Sequence, residues 1–335
     1  MRSIAVTSQS EWSDFQFFDQ EPWSEFRREV ASRGCKIVSL NENPDLIVVF
    51  NHKSPGYLAK KEKYKGIKKV LVIFEPAVVS PNNHVRSIRS RYQAVYVPSS
   101  MWKLGIEDRL FDWPQTNSEE IKSSDDYMIR QNRFVMILGN HISVGKSELY
   151  SLRRQIALIK DLPLDIFGPN WNDSTLRSAS RALKSLWKFF MVRKFEITVP
   201  KNLSLRGKLT NIFGMVDNKF DTYRKYKFAL VIENSSDYLS EKLIDAVISG
   251  TIPIYVGPKL EGFGVPKDLA LQVAADASSI QEAISKLMNS KEVQDCILLA
   301  GREFLNSPRY FEMVNTRALS KLATMIVADL QDGQD

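Results

Sequence analysis

Short apolar runs rich in β-branched residues alternate with helical stretches along most of this chain, and that alternation constrains its fold more than any other feature. DLIVVFN (45–51), KKVLVIFE (68–75) and AVYVPS (94–99) read as strands buried on both faces, the pattern of parallel sheets. MRSIAVT reads as an opening strand, and EPWSEFRREVASRGC as a helix ending near Gly34. A polar stretch, TNSEEIKSSDDYMIRQN, is read as a linker. Beyond it come RFVMILGN (133–140), a helix over 147–160, PLDIFG (163–168), KFALVIEN (227–234), a helix over 240–249 and TIPIYVG (251–257). The expected fold is therefore α/β, with two Rossmann-like, doubly wound domains facing across a cleft and ligands at the carboxyl ends of strands. Boundaries at 1–128 and 129–335 follow, the second domain carrying a basic insertion at about 171–222.

The chain has 335 residues, 44% hydrophobic and 25% charged, enough for two cores of ordinary soluble composition. It has no run of 18 apolar residues, and its first residues do not read as a charged leader followed by an apolar stretch. A cytoplasmic location is expected, with a peripheral position on the inner face of a membrane left open. Cys35 and Cys296 stand alone and far apart, so buried free thiols are expected rather than a disulfide or a zinc site. His52, His84 and His141 lack metal-ligand spacing, and neither a metal nor a cofactor is expected. His52 and His141 each follow an Asn at an expected strand end, which would bring them to the ligand side of the sheets.

The net charge of +7 is concentrated in one place. Between Trp171 and Lys227 there are 13 Lys and Arg against four Asp and Glu. Within that segment, TLRSASRALKSLWKFFMVRKF sets Leu176, Ala179, Leu183, Leu186, Trp187, Phe190 and Met191 at helical spacing, with Arg177, Arg181, Lys184 and Lys188 on another face. Two readings stay open: a basic amphipathic helix on an anionic membrane, or an insertion helix packed on its own domain. Nucleic acid is not expected, because no RNA-binding, zinc-finger or helix-turn-helix pattern accompanies the charge.

The stretch with most chemistry is ENSSDYLSEKLIDAVISGTIPIYVGP (233–258). If FALVI is a central strand, Glu233 and Asn234 lie at its carboxyl end. Ser240 is then the expected N-cap, with Glu241 and Lys242 in the first helical turn. Free backbone N–H groups, the positive end of the helix dipole and Lys242 favour an anion, for which phosphate is the natural guest. Glu241 is a good double acceptor for vicinal hydroxyls of a ribose or hexose. Together these residues suit a nucleotide sugar. Each of them taken singly has an ordinary structural reading, as a helix-end carboxylate or a solvated lysine.

The whole block FALVIENSSDYLSEKLIDAVISGTIPIYVGP resembles the signature of the family 10 glycosyltransferases, the α1,3/1,4-fucosyltransferases. The shared form is an apolar strand, E-N, a short loop, Y-x-[ST]-E-K, a helix and G-x-x-P-I-x-x-G. The resemblance implies a GT-B fold, GDP-β-L-fucose as donor, and inverting transfer to a hydroxyl of a glycan or lipid-linked glycan acceptor without an obligatory metal. It implies donor-site roles for Glu233, Asn234, Tyr238, Ser240, Glu241 and Lys242, with Lys242 near the diphosphate. SELYSLRRQIALIKDLPLDIFG resembles the segment holding a diphosphate-binding Arg, and spacing to Gly168 favours Arg153 over Arg154. VLVIFEPAVVSP resembles the acceptor-domain segment whose Glu is the catalytic base, which would be Glu75. The likeness is firm over 134–258, weaker over 68–100 and absent across much of 171–220. The chain has no D-x-D pair, so the metal–diphosphate device of many GT-A enzymes has no counterpart. Another nucleotide sugar, or a non-catalytic sugar-nucleotide or glycan-binding protein, remains an alternative.

Overall fold

The structure, a computed structural model, describes residues 1–7, 22–51, 64–118, 127–192 and 196–332. It divides into two compact units, Met1–Gln115 with Glu312–Asp335, and Thr116–Phe311. His52 and the basic residues Arg193 and Lys194 lie outside the described residues.

The first unit is built on strands β1 (Arg2–Thr7), β2 (Cys35–Val38), β3 (Leu46–Phe50), β4 (Lys68–Val72), β5 (Ala94–Val97) and β6 (Asp108–Leu110), with helices α1 (Trp23–Ser32) and α2 (Arg86–Arg89). The sheet runs β2-β1-β3-β4-β5-β6 and its ladders are parallel. All five residues of β3 are buried, as an apolar strand in the middle of such a sheet requires. α1 turns Phe26 and Val30 inward. β4 stops at Val72, short of the expected Glu75, because the chain then changes partner. The N–H groups of Phe74 and Glu75 donate to the Asn51 side chain, at 2.8 and 3.1 Å, instead of to a neighbouring strand.

The second unit holds β7 (Gln131–Ile137), α3 (Tyr150–Ala157), β8 (Leu164–Phe167), α4 (Thr175–Val192), α5 (Lys219–Tyr223), β9 (Tyr226–Ile232), α6 (Lys242–Ile248), β10 (Ile252–Val256), β11 (Leu271–Gln272), α7 (Ala277–Asn289), α8 (Lys291–Leu305) and α9 (Pro308–Met313), whose last residues pass into the first unit. Its parallel sheet runs β11-β10-β9-β7-β8. β8 lies on one side of β7 and β9 on the other, so the strand order reverses between β7 and β9. In open α/β sheets ligands bind outside the carboxyl ends of the strands at such a reversal. Gly168, just after β8, has φ 127°, and a Cβ there would stand 2.5 Å from the Leu138 carbonyl oxygen, so only glycine allows the two strand ends to approach.

Three expectations are corrected. The last helix, α10 (Asn315–Asp332), returns to the first unit, so the division is neither 1–128 nor 129–335. Its Leu319, Leu322, Ala323, Ile326, Val327 and Leu330 join Ile4, Leu46, Val48, Val70, Val72 and Tyr96 in one core. Polar ties fix it there: Thr324 donates to Glu29 at 2.9 Å, and Asp329 accepts from Tyr96 and pairs with Arg109. Cys35 is buried but Cys296, on the outer side of α8, is exposed.

The third correction concerns α4. It packs on its own unit through Ser178, Ser185 and Phe189, while Leu176, Leu183, Leu186, Trp187, Phe190 and Met191 of the helical-spacing set are exposed. Val144 donates its N–H to Ser185 Oγ at 3.1 Å, and Arg181 donates to the Asn140 carbonyl at 2.9 Å and pairs with Asp173 at 2.6 Å. These contacts hold the polar side inward and leave Leu183, Trp187, Phe190 and Met191 exposed.

Candidate functional site

The segments leaving β7 and β9 converge on a charged cluster. Glu233 directly follows β9 and is fully buried. Its carboxylate accepts from the Ser240 N–H at 2.8 Å and from the Ser240 hydroxyl at 3.0 and 2.9 Å. Lys242 Nζ donates to Ser240 Oγ at 2.7 Å and lies 3.4 Å from Glu233 Oε2. Glu233 therefore clamps both ends of the loop that carries Tyr238, Ser240 and Glu241. A Cβ on Gly257, after β10, would lie 2.3 Å from the Tyr255 hydroxyl and 3.0 Å from Glu233 Cγ, so glycine makes room for the clamp.

α6 begins at Lys242, with Glu241 as its N-cap residue in αR conformation. Ser240 stands one place earlier than expected, and the Lys242 N–H reaches its hydroxyl at 3.4 Å. The helix spans only seven residues. Full charges on side chains, rather than a long helix dipole, thus dominate the local field.

Arg153 supplies the second such charge. It is 1% exposed and donates to the Ile232 carbonyl at 3.1 and 2.5 Å, to Asn234 Oδ1 at 3.0 Å and to the Gly139 carbonyl at 3.3 Å. These acceptors are neutral. Burial lowers its pKa, while Tyr150, Glu233 and Glu148 act in the opposite direction. A guanidinium so placed is costly to bury and gains strongly from an anion. Arg154 turns elsewhere: it donates to the carbonyls of Lys201 at 2.8 Å and His141 at 2.7 Å, and to Ser151 Oγ at 2.9 Å. It ties the basic segment to the 140–141 loop, and burial brings its pKa down to about 10.

Asn234 joins the two groups, since its side chain accepts from Arg153 and its carbonyl accepts from the Leu149 N–H at 3.1 Å. Tyr238 is buried, and Lys242 Nζ sits 5.8 Å from its ring centre. Glu241 is half-buried. His141, read as a strand-end histidine, completes the cluster. Desolvation first, and then the positive charges of Arg153, Arg181 and Lys242, hold its pKa down to about 4, although its side chain reaches solvent. Three cations, two of them paired with Asp173 and Glu233, thus act on one imidazole. Composition alone did not point to His141; its place after Gly139-Asn140 at the end of a strand was the available signal.

In the first unit, Glu75 is half-buried on the turn after β4. Asn51, which sequence reasoning passed over, organises that turn. Its Oδ1 accepts from Phe74 N, Glu75 N and, at 3.0 Å, Asn83 Nδ2, and its own backbone has φ 55°. His84 Nε2 lies 2.9 Å from the Glu75 carbonyl, while Arg89 donates toward Nδ1 at 3.4 Å. That pattern selects the neutral tautomer with hydrogen on Nε2, and burial holds the pKa near 3. Among the described residues no group of three or more His, Cys, Asp or Glu could hold a metal ion. No described helix is long and apolar enough to cross a membrane.

No protein-family model matches the chain. Over 151 residues it is 26% identical to a putative fucosyltransferase-like protein of Arabidopsis thaliana, a match covering 40% of this chain and 29% of that protein. The chain thus spans less than a third of the length of this relative. Among solved structures, an α1,3-fucosyltransferase with GDP aligns over 99% of this chain and 91% of its own, with TM-score 0.54 and 17% identity. HepE of Anabaena, in complex with UDP and glucose, aligns over 98% and 100% with TM-score 0.59 and 8% identity. Sucrose-phosphate synthase of Thermosynechococcus elongatus aligns over 99% of both, with TM-score 0.61 and 13% identity. The chain has the two-sheet α/β fold of GT-B glycosyltransferases, and it resembles fucosyltransferase-like proteins in sequence.

Proposed function

We propose that this chain is a glycosyltransferase that moves L-fucose from GDP-β-L-fucose to a hydroxyl of a glycan acceptor, with inversion and without an obligatory metal. The observation that carries the proposal is the buried Arg153, bonded to neutral oxygens and linked through Asn234 to the strand end beside the Glu233–Ser240–Lys242 clamp. Such an arrangement suits a diphosphate leaving group, whose charge grows as the sugar departs. Arg153 and Lys242 take that charge, Glu241 accepts from donor hydroxyls, and Tyr238 offers a buried face beside Lys242. Glu75 removes the proton from the acceptor oxygen as it attacks the anomeric carbon. Glu233 acts by holding Ser240 and Lys242, both of which its carboxylate reaches. The solved fucosyltransferase with GDP and the fucosyltransferase-like relative support the choice of donor.

A second reading, a transferase using a UDP-sugar, is favoured by the fold likeness to HepE with UDP and glucose. The test is a hydrolysis and transfer screen across GDP-, UDP- and CMP-sugars, with and without EDTA. Turnover of GDP-fucose that survives chelation is the expected result. Preference for a UDP-sugar, or activity lost on chelation and restored by Mn²⁺, would reject the donor or the metal-free reading respectively. No turnover of any donor would favour a binding protein.

A further inference from the structure

Successive helical residues are 100° apart, so α4 can be read as three lengthwise strips. Ser178, Ser185 and Phe189 form the strip against the protein. Leu176, Leu183, Trp187, Phe190 and Met191 form the opposite strip, with exposures of 83, 65, 63, 59 and 61%. Arg177, Lys184 and Lys188 run along one border between them. A helix in a soluble domain normally presents the reverse, apolar side in and charged side out. Five large apolar side chains facing outward on one helix make a patch of the kind that marks a contact surface.

The charge pattern selects the occupant. α4 contains no Asp or Glu, and it lies in the stretch with 13 basic and four acidic residues. Lys184, Lys188 and Arg177, the last of which lies 3.5 Å from Asp173, supply the positive charge of the border. Apolar side chains outward with lysines beside them match the boundary of an anionic bilayer, where rings and aliphatic chains enter and ammonium groups meet phosphates. A second copy of this chain would bring like charges together. A nucleic acid would leave the apolar strip in water.

We infer that the outward face of α4 docks this protein on an anionic lipid surface, with Leu183, Trp187 and Phe190 entering the acyl boundary and Lys184 and Lys188 on the headgroups. The contacts of Ser185 with Val144 and of Arg181 with Asn140 tie this helix to the loop after β7. The docking face is thereby on the same unit as Arg153 and Lys242. The inference does not depend on which sugar nucleotide is used.

The test is flotation of the full chain with phosphatidylcholine vesicles containing 30% phosphatidylglycerol, beside pure phosphatidylcholine vesicles. Two lysines near the surface predict binding stronger on the anionic vesicles by roughly 30-fold at low salt, and weakened at high salt. The double variant Leu183→Glu/Trp187→Glu should lose binding at least tenfold while its melting temperature and GDP affinity stay as in the wild type. Bromine-labelled acyl chains should quench part of the tryptophan fluorescence, and Trp187→Leu should abolish that part while still floating. Equal binding by the double variant, no binding by the wild type, or a wild-type dimer that the double variant dissociates would each overturn the inference.

Discussion

Arg153 and Asn234 meet at 3.0 Å where the reversal in strand order between β7 and β9 opens the second sheet. One residue comes from the helix after β7, the other from the strand end of β9, so the bond fastens the two elements that a ligand at that point would touch. The guanidinium is thereby held in place before any ligand arrives. Preorganised charge of this kind is worth more than charge that must be recruited.

Replacing the cations should weaken diphosphate binding directly. Lys242→Ala is expected to reduce GDP affinity by about tenfold to a hundredfold, the range for a lost charge-assisted contact. Arg153→Lys should also lose affinity, because an ammonium cannot span Ile232, Gly139 and Asn234 together. Titration calorimetry with GDP checks both, beside a thermal melt to separate binding from folding. Normal GDP affinity in Lys242→Ala would remove that lysine from the donor site.

Glu75→Gln should separate rate from binding. GDP affinity is expected to remain, while turnover falls by roughly 10²-fold or more, the scale of general-base catalysis. Steady-state transfer rates measured with the calorimetry decide it. Near-normal turnover would move the base to another residue.

His141 gives a pH signature. With its pKa held to about 4, the ring is neutral in the free protein above pH 5. A diphosphate beside Arg153 and Lys242 would offset those charges and raise the pKa, so binding takes up a proton in the window from about pH 4 to the ordinary histidine range. Affinity for GDP should therefore gain as pH falls through that window, relative to His141→Gln. Calorimetry in two buffers of different ionisation enthalpy reads the proton count, and an identical count in the variant would place His141 outside the binding event.

Asn51→Ala should destabilise the first unit by about 2–3 kcal/mol, since three donors lose one acceptor and the left-handed backbone loses a residue type that tolerates it. The urea midpoint of the full chain measures this. A change within 0.5 kcal/mol would mean that the turn before Glu75 is held by other contacts.

Much of the fold was legible because the strands that carry it are short, apolar and buried on both faces. β3, β9 and β10 fall where their sequences indicate, within a residue or two. β2 and β6 passed unnoticed, because four residues of CKIV and three of DRL carry too little pattern to separate them from loop. The loop 233–242 was legible as a candidate site because a strand end, three acids and a lysine crowd ten residues. What could not be read was who serves whom: the fold turns Glu233 inward on Ser240 rather than outward. The face of α4 was unreadable for a similar reason. Periodicity located its apolar strip but could not say that serine hydroxyls and Arg181, bonded to backbone groups, would take the inner side.

The return of α10 also makes the first unit discontinuous in sequence. Leu319, Leu322 and Ile326 must find a sheet whose strands lie before residue 116, with the whole of 116–311 between them. Contacts of such high sequence separation cost loop-closure entropy before they repay it. The first core is therefore closed by its most distant partners, and a change in α10 acts on strands at the other end of the chain.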